Sequence, residues 1–427
     1  MPSVRSDLCH ARGVAEVSDP DDDRQRAEVP AATGAGPGTS RRAVLAGGLA
    51  GAGVAAAVGL ALGRDGETER PAPLPAGTPP GGWRDASRDH GARGTGEGDD
   101  RAALQDAIDG AASGGTGRAR GGVVHLGPGV YPISGSLHLR TGVTLWGAGP
   151  ATVIRLLPGP DEPAIVIESD ADGTPVSYAA VRSLTLDGST GDQSKGRHGI
   201  AIRSDNSGSR TPYTGSDSFP LVADVWVVYF GGHGLAIGVD PEGGTANVRG
   251  ARGDRVTVFE CAKAAEGGDR AGIFVAGSDG SFVACDVAGC GGPGFDVVRA
   301  NNRFDGCKAY FNRTEFRITG SRNQLANCQA QDGFGDGFVL GDGGEPVRGL
   351  SLAGCQADSN AGAGFRLDSV EASSLSGLTS FVREGVEPGG PGVVMAGTSR
   401  CLVSGTVDGF PTAVEGRNAD GTTHLVT

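Results

Sequence analysis

Charged and titratable side chains recur in one turn of a repeating pattern in this sequence. The turn precedes a short apolar strand that opens with Ile, Leu or Phe. Stacked repeats place equivalent positions above one another, so we expect the side chains of this turn to form one row on one face. The members of the row are His198, His233, Asp269, Arg270, Arg313, Glu315 and Asp336.

The carboxylates of the row could hydrolyse a glycosidic bond. Hydrolysis needs two carboxyl groups, about 5 Å apart for retention of configuration or about 6.5 to 9.5 Å apart for inversion. Glu315 and Asp336 would lie in adjacent repeats, about 5 Å apart if both point outward, and Asp269 would lie about 10 Å from Glu315. Alternatively, acidic side chains in such turns cap backbone amides.

A lyase would use the row differently. It needs a base that removes the proton beside a uronate carboxylate, and often Ca²⁺ held by Asp or Glu to acidify that proton. Arg270 beside Asp269, or Arg313 beside Glu315, would supply the base. Because arginine is normally protonated, the alternative is a surface ion pair.

Other residues are candidates for substrate binding. His198 belongs to the row, and Asp187 ends an apolar strand, although Asp-Gly is also an ordinary turn opener. Two long segments, at about 187–198 and 203–220, interrupt the repeat where binding surfaces usually grow. Tyr213, Phe219 and Tyr229 are the aromatic residues near them that could stack against a sugar.

The sequence pattern that positions the row is repeated five times between Val256 and Leu367. Each copy has a cysteine, a turn of about nine to twelve residues rich in Gly, Asn and Asp, and an aromatic residue or Ile that opens a short strand. The cysteines are 21 to 27 residues apart, a period typical of a solenoid whose coils share one core. The five copies are Cys261 with Ile273, Cys285 with Phe295, Cys307 with Phe316, Cys328 with Phe338, and Cys355 with Phe365.

The repeated cysteines are expected to form a buried ladder of thiols. Equivalent positions point into the core, and parallel Cβ vectors suit a disulfide poorly, although neighbouring coils lie only about 4.8 Å apart. Cys290 falls off this ladder, where it could pair with a neighbour. No cysteine pair has metal-ligand spacing, so no metal site is predicted from the thiols.

The composition limits the kinds of partner. The chain has 427 residues, of which 77 are Gly and only 5% are aromatic, with a net charge of -13 and a pI near 5.0. Many tight turns joining short strands suit this composition, whereas nucleic acid would need a basic surface. A neutral or cation-bridged partner such as a polysaccharide fits better, and the sequence carries no signal for an oligomeric state.

The N-terminal region divides into three segments. Residues 1–39 lack apolar periodicity and are predicted to be disordered, and the Pro-rich residues 64–82 are a linker. Between them, residues 40–63 resemble a twin-arginine export signal, with Arg41-Arg42 before an uncharged Ala/Gly/Val/Leu run. The alternative is an uncleaved membrane span. Either way, residues 83–427 are predicted to be secreted or displayed at the cell surface.

The start of the folded region carries a recognisable pattern. A helix is predicted after Asp99-Asp100, because Leu104, Ala107 and Ile108 share a face. Strands follow at Gly121-Gly122-Val123-Val124-His125-Leu126 and beyond. This stretch of sequence resembles the N-terminal part of the pectate lyase superfamily. The resemblance implies an all-β, right-handed parallel β-helix with a short N-terminal capping helix. That superfamily contains hydrolases, lyases, epimerases and adhesion shafts.

A second resemblance concerns the row itself. Gly232-His233-Gly234-Leu235-Ala236-Ile237-Gly238 is similar to the G-H-G-(I/L)-S-I-G motif of polygalacturonase-type glycoside hydrolases, except at Ala236. The resemblance implies that His233 orients a catalytic carboxylate or the substrate. The family's N-T-D, D-D and R-I-K motifs do not occur at their expected places.

Two functions follow from these patterns. The first is an exported enzyme that cleaves glycosidic bonds of an acidic polysaccharide by hydrolysis or β-elimination. Its catalytic residues would be His233, Asp269, Arg270, Glu315 and Asp336, with Ca²⁺ if it is a lyase. The second is a non-catalytic β-helix that binds glycans or surface partners. Side chains of the row that converge on one groove would favour the enzyme, and inward-facing side chains would favour binding.

Overall fold

The computed structural model describes residues 83–113, 121–159, 161–169, 175–189, 196–203, 219–238, 247–263, 270–416 and 421–427. The predicted segments 1–39, 40–63 and 64–82, together with Asp269 and Tyr213, lie outside the described residues. Within the described ranges, no helix is long and apolar enough to span a bilayer.

The strands are short and numerous, as the Gly-rich turns predict. In chain order they are β1 (Trp83–Asp85), β2 (Gly122–Leu126), β3 (Gly129–Ile133), β4 (Leu137–His138), β5 (Val143–Gly147), β6 (Thr152–Leu156), β7 (Ile165–Ile167), β8 (Ala180–Asp187), β9 (Ile200–Ile202), β10 (Leu221–Val228), β11 (Leu235–Ile237), β12 (Arg252–Asp254), β13 (Thr257–Phe259), β14 (Ile273–Val275), β15 (Ser281–Val283), β16 (Asp286–Ala288), β17 (Pro293–Val297), β18 (Arg303–Asp305), β19 (Lys308–Tyr310), β20 (Thr314–Ile318), β21 (Gln324–Ala326), β22 (Gln329–Gln331), β23 (Phe338–Leu340), β24 (Val347–Arg348), β25 (Ser351–Ala353), β26 (Gln356–Asp358), β27 (Phe365–Asp368), β28 (Val370–Glu371), β29 (Ser374–Phe381), β30 (Val393–Ala396), β31 (Leu402–Asp408), β32 (Val414–Gly416) and β33 (Thr423–Val426).

Two helices precede the coils. α1 (Ala86–His90) is a single turn, and α2 (Arg101–Ala112) is the predicted capping helix. The apolar stripe of α2 is buried and belongs to the same core cluster as the first strands, so the helix covers the end of the stack. Its buried residues are Leu104, Ala107, Ile108 and Ala111.

The strands form a parallel β-helix, as predicted. A large sheet, here called sheet A, pairs most strands, and a second sheet, sheet B, runs through β4, β7, β9, β11, β14, β17, β20, β23, β27, β30 and β32. A typical coil passes through two strands of sheet A and one of sheet B, as in β12, β13 and β14. The pairings between successive coils are parallel, for example β13 with β16 and β14 with β17, and the helix is right-handed.

The core confirms the predicted register of the second strand in each coil. Strand-opening residues pair in succession through sheet B. The phenylalanine rings among them stack with centroids 4.7 to 4.8 Å apart and interplanar angles of 8° or less. These residues are Ile200, Leu235, Ile273, Phe295, Phe316, Phe338 and Phe365.

The cysteine ladder is confirmed for four of the five predicted members. Cys285, Cys307, Cys328 and Cys355 occupy one position in successive coils and are buried free thiols. Cys261 was assigned to the wrong position, because the pairing of β13 with β16 places Val256, not Cys261, above Cys285. Cys261 instead lies in register with Cys290, and both are buried and free.

One corner of most coils is left-handed. The residue one or two positions before the first sheet A strand has φ between 38° and 80° in most coils. Such a conformation favours Gly, Asn and Asp and strains bulky side chains. The residues at this corner, which we call the left-handed corner, are Gly142, Tyr178, Phe219, Gly250, Asp279, Asn301, Arg322, Gly349, Ala372, Arg400 and Gly421.

Candidate functional site

The two predicted histidines lie one above the other in neighbouring coils. Their ring centroids are 5.0 Å apart, and each residue is only 3% exposed. Nδ1 of His198 accepts the backbone N–H of His233 at 2.8 Å, and Nδ1 of His233 accepts that of Ala271 at 2.9 Å. In the part of the chain that the structure describes, no carboxylate contacts either ring. Each ring therefore binds the backbone of the next coil.

Both rings are held neutral. Burial lowers the pKa of His233 to about 3, with a further contribution from the positive charge of Arg270. Burial, His233 and Arg270 likewise lower the pKa of His198 well below its usual range. A ring whose Nδ1 accepts an N–H carries its proton on Nε2. The contacts fit a structural role for His233 and give no support to the predicted orientation of a catalytic carboxylate.

Asp336 lies at the same coil position as His233 and makes the same kind of bond. Its Oδ1 accepts the N–H of Ala363 at 2.6 Å, and its Oδ2 lies 2.6 Å from Nε of Arg366. The side chain of Asp336 is 19% exposed. Asp336 therefore caps a backbone amide and forms an ion pair, which is the alternative that the turn chemistry allowed.

The shared bond predicts how His233 responds to substitution. His233→Ala should leave the buried N–H of Ala271 without a partner and lower the free energy of unfolding by about 2 kcal/mol. His233→Asn should retain most of the stability, because an Asn oxygen can accept this N–H as the oxygen of Asp336 does at its own position. Chemical denaturation of the two variants measures the difference. Equal loss in both variants would contradict the structural role.

Glu315 is completely buried, so the expectation that it faces outward is wrong. Its Oε1 accepts the N–H of Asn312 at 3.0 Å, and its Oε2 accepts from Asn312 Nδ2. At this turn an Asn of the next coil usually caps the amide below, since Asn312 caps Cys290 and Asn360 caps Gly333. Gly333 has no side chain to cap Asn312, and Glu315 fills that space, 2.8 Å from where a Cβ of Gly333 would stand.

The other predicted residues do not join one groove. Arg270 is half-buried and lies near the histidine pair. Asp187 pairs with Arg155, with Nε 2.8 Å from Oδ2. Tyr229 is half-buried and contacts the ring of Phe259 edge-on at 6.2 Å. The row therefore contains caps, ion pairs and a buried acid rather than a converging set of catalytic groups.

A predicted Ca²⁺ site has no counterpart in the described ranges. No three side chains of His, Cys, Asp or Glu come together there in a way that could hold a metal ion. The predicted pair of Arg313 and Glu315 does not form either, since Arg313 is exposed and Glu315 is buried. The predicted partner of Arg270, Asp269, lies outside the described residues.

Two aromatic residues occupy the left-handed corner in adjacent coils. Tyr178 has φ 58° and Phe219 has φ 38°, and their rings stack with centroids 5.9 Å apart at 14°. The Phe219 ring also lies over Gly250, where an added Cβ would stand 2.2 Å from a ring carbon. Tyr178 is 59% exposed. A bulky residue held in this strained conformation and exposed to solvent is typical of a functional site.

The aromatic pair forms the wall of a groove on the outer face of sheet A. Four residues of its floor pair in succession across β5, β8, β10 and β12. The groove has a volume of about 480 Å³, within the size range of ligand sites. We call it the aromatic groove; it is lined by Thr144, Tyr178, Ala180, Phe219, Leu221 and Arg252.

The groove combines apolar and cationic surface. Arg252 is exposed at its end and forms no ion pair within the described residues. Phe219 was identified from the sequence as a sugar platform, but Tyr178 and Arg252 were not. The signal that could have found Tyr178 is its corner position, where Gly142 and Gly250 stand in nearby coils.

Family comparisons agree with this fold. Residues 83–209 match the family of rhamnogalacturonase A/epimerase, pectate lyase-like proteins, and residues 246–406 match the right-handed beta helix region family.

Two curated relatives match a quarter of the chain. Mannuronan C5-epimerase AlgE4 of Azotobacter vinelandii is 41% identical over 115 residues, which cover 25% of this chain and 20% of that protein. Alginate lyase 7 of the same organism is 37% identical over 110 residues, which cover 24% of this chain and 12% of that protein. The match thus spans a fifth or less of each relative.

Solved structures share the fold at low sequence identity. The A-module of Azotobacter vinelandii AlgE4 superposes with a TM-score of 0.58 and 20% identity, covering 81% of this chain and 95% of that one. The Dettilon tailspike protein superposes with a TM-score of 0.62 and 12% identity, covering 81% and 68%. The chain is a single-stranded right-handed parallel β-helix protein of the pectate lyase superfamily.

Proposed function

We propose that this protein binds an extended acidic polysaccharide on the outer face of sheet A, in the aromatic groove. The observation that carries the proposal is the stacked pair of Tyr178 and Phe219 in a strained corner conformation. An exposed aromatic ring offers a flat apolar surface, and the C–H face of a pyranose ring can be buried against it. A glycine would adopt this conformation at either position without strain.

The charge of the groove favours an acidic sugar. Arg252 presents a guanidinium at the end of the groove, and a guanidinium binds a carboxylate through paired hydrogen bonds. The chain as a whole carries a net charge of -13, so an acidic polymer would be repelled from most of its surface. The relatives named for mannuronan and alginate act, by those names, on polymers of uronic acids.

A second candidate is catalysis on the same polymer. The identity of 41% with a mannuronan C5-epimerase over 115 residues favours it. Hydrolysis, β-elimination and epimerisation all remain within this proposal, with Ca²⁺ in the case of a lyase. The contacts of His233, Glu315 and Asp336 weigh toward binding, because these side chains are engaged with the backbone, with Asn312 or with Arg366.

Export is part of the proposal and rests on Arg41-Arg42 before the apolar run. The test is a reporter fused behind residues 1–82, with its appearance outside the cytoplasm measured. Export that persists when both arginines are replaced with lysine would remove the twin-arginine part of the proposal.

Isothermal titration of the full chain with polymannuronate, polygalacturonate and a neutral glucan tests the proposed binding. We expect saturable binding to a polyuronate that weakens as salt is added, and none to the neutral polymer. The absence of binding to any acidic polymer would overturn the proposal. Parallel assays of reducing ends, of ultraviolet absorbance from unsaturated ends and of C5 configuration by NMR would identify a hydrolase, a lyase or an epimerase.

A further inference from the structure

A second aromatic cluster lies on the same face of sheet A as the aromatic groove. The ring of Trp83 stacks on that of His125 with centroids 5.8 Å apart, and it meets the ring of Trp146 edge-on at 5.9 Å. Trp146 is 38% exposed. We call Trp83, His125, Trp146 and Arg182 the tryptophan cluster.

Arg182 adds a cation to this cluster. Its guanidinium carbon lies 6.0 Å from the centre of the Trp146 ring, within the range of a cation–π contact. Its Nε is buried and has no hydrogen-bond partner. Elsewhere on this sheet, Arg155 and Arg255 pair with Asp187 and Asp224. Arg182, by contrast, forms no ion pair with any residue that the structure describes.

The cluster and the groove are continuous in the strand register. Thr144 pairs with Ala180, and two residues further along the same strands Trp146 pairs with Arg182. Two residues span about 7 Å along a strand, and side chains at such positions point to the same face. On the neighbouring strand β2, His125 pairs with Trp146. The cluster therefore lies beside the groove on β5 and β8 and continues to β2, toward the first coil.

We propose that the tryptophan cluster is a second subsite for an acidic sugar residue of the same chain. The inference rests on the proposed function, because it extends the ligand from the aromatic groove toward the first coil. Trp146 offers a ring to the apolar face of the sugar, and the guanidinium of Arg182, which forms no ion pair with a described residue, meets its carboxylate. The ligand is thus an oligosaccharide that runs across the coils, parallel to the helix axis, from Arg252 on β12 to Trp146 on β5, with Arg182 beside it on β8.

The length of the ligand separates this inference from the proposed function. We would titrate the full chain with a short uronate trisaccharide and with a long uronate oligosaccharide. Trp146→Ala and Arg182→Gln should weaken the long ligand about tenfold and leave the trisaccharide nearly unchanged. Arg182→Gln should also reduce the salt dependence of the affinity for the long ligand.

Trp226→Ala is the matched control. Trp226 lies on β10 and is 49% exposed. It pairs with Thr185, away from both the groove and the cluster. This variant should bind both ligands as the native protein does. If Trp146→Ala and Arg182→Gln bind the long ligand normally, or lose both ligands equally, the second subsite is wrong. If the native protein binds neither ligand, the proposed function fails.

Discussion

Replacing Tyr178 and Phe219 together with glycine is expected to weaken the binding of an acidic oligosaccharide about a hundredfold without destabilising the fold. Each lost aromatic contact is worth about 1.4 kcal/mol, which corresponds to about tenfold in affinity for each ring. The free energy of unfolding of this variant should be unchanged or higher. A left-handed conformation costs a bulky residue about 1 to 2 kcal/mol, whereas glycine adopts it freely.

Titration and thermal unfolding of the same samples check both parts of this prediction. The expected result is a large loss of affinity with a Tm that is unchanged or higher. Trp226→Ala removes an exposed aromatic residue on β10, outside the groove, and should change neither quantity. Retained affinity in the double variant would show that the aromatic groove does not hold the ligand. A fall in Tm would show that the two rings are there for packing.

A loss of affinity without a loss of stability in the double glycine variant would distinguish a binding role of the corner residues from a packing role. At other coils the same corner holds Gly142, Gly250, Asn301 or Asp279, residue types that tolerate positive φ. The aromatic pair departs from this rule in two adjacent coils, and among the described corners only Arg322, Ala372 and Arg400 also depart from it, without an aromatic ring. Gly250 in the next coil then makes room for the Phe219 ring.

Much of the fold could be predicted because the apolar strand-opening residues recur in the sequence at the spacing of the coils. The strand-opening residues, such as Ile273 and Phe295, must all point into one core, so their spacing identifies the coil. The position of Cys261 in its coil was predicted wrongly, because a small apolar residue fits two buried positions of a coil. It lies at the turn position of Cys290 rather than in the ladder of Cys285.

The site was less predictable, for physical reasons. A carboxylate in a polar turn is normally solvated, so Glu315 was expected at the surface. The vacancy that it fills is made by Gly333, which lies next to it only in the stacked structure. Likewise, the sequence near Tyr178 shows an ordinary aromatic residue before a strand. Its strain and its partner Phe219 become visible only when the corners are aligned through the sheet register.

Glu315 also gives a large expected effect of pH on stability. Burial raises the pKa of its carboxyl group from an ordinary 4.5 to about 7, opposed by the hydrogen bonds from Asn312 and aided by the charge of Asp332. A carboxyl group whose pKa is higher in the folded state stabilises the fold when it is protonated. That contribution is fully present below the unfolded value and is lost as pH rises through the folded value. Since one pKa unit corresponds to about 1.4 kcal/mol, the loss between pH 4.5 and 7 should be about 3 kcal/mol.

Glu315→Gln should remove this dependence. The amide keeps an oxygen for the N–H of Asn312 but cannot ionise, so the variant should not show the loss of unfolding free energy that Glu315 causes as pH rises between these values. Asp336→Asn is the matched control, because Asp336 is also a turn carboxylate but is ion-paired with Arg366 and partly exposed. It should leave that loss in place. Urea unfolding at several pH values measures the slopes of unfolding free energy against pH. An unchanged slope in Glu315→Gln would mean that the buried carboxyl is already ionised at low pH. The space left by Gly333 would then hold a charged cap rather than a neutral one, and the backbone of this turn would have to stabilise that charge through Asn312.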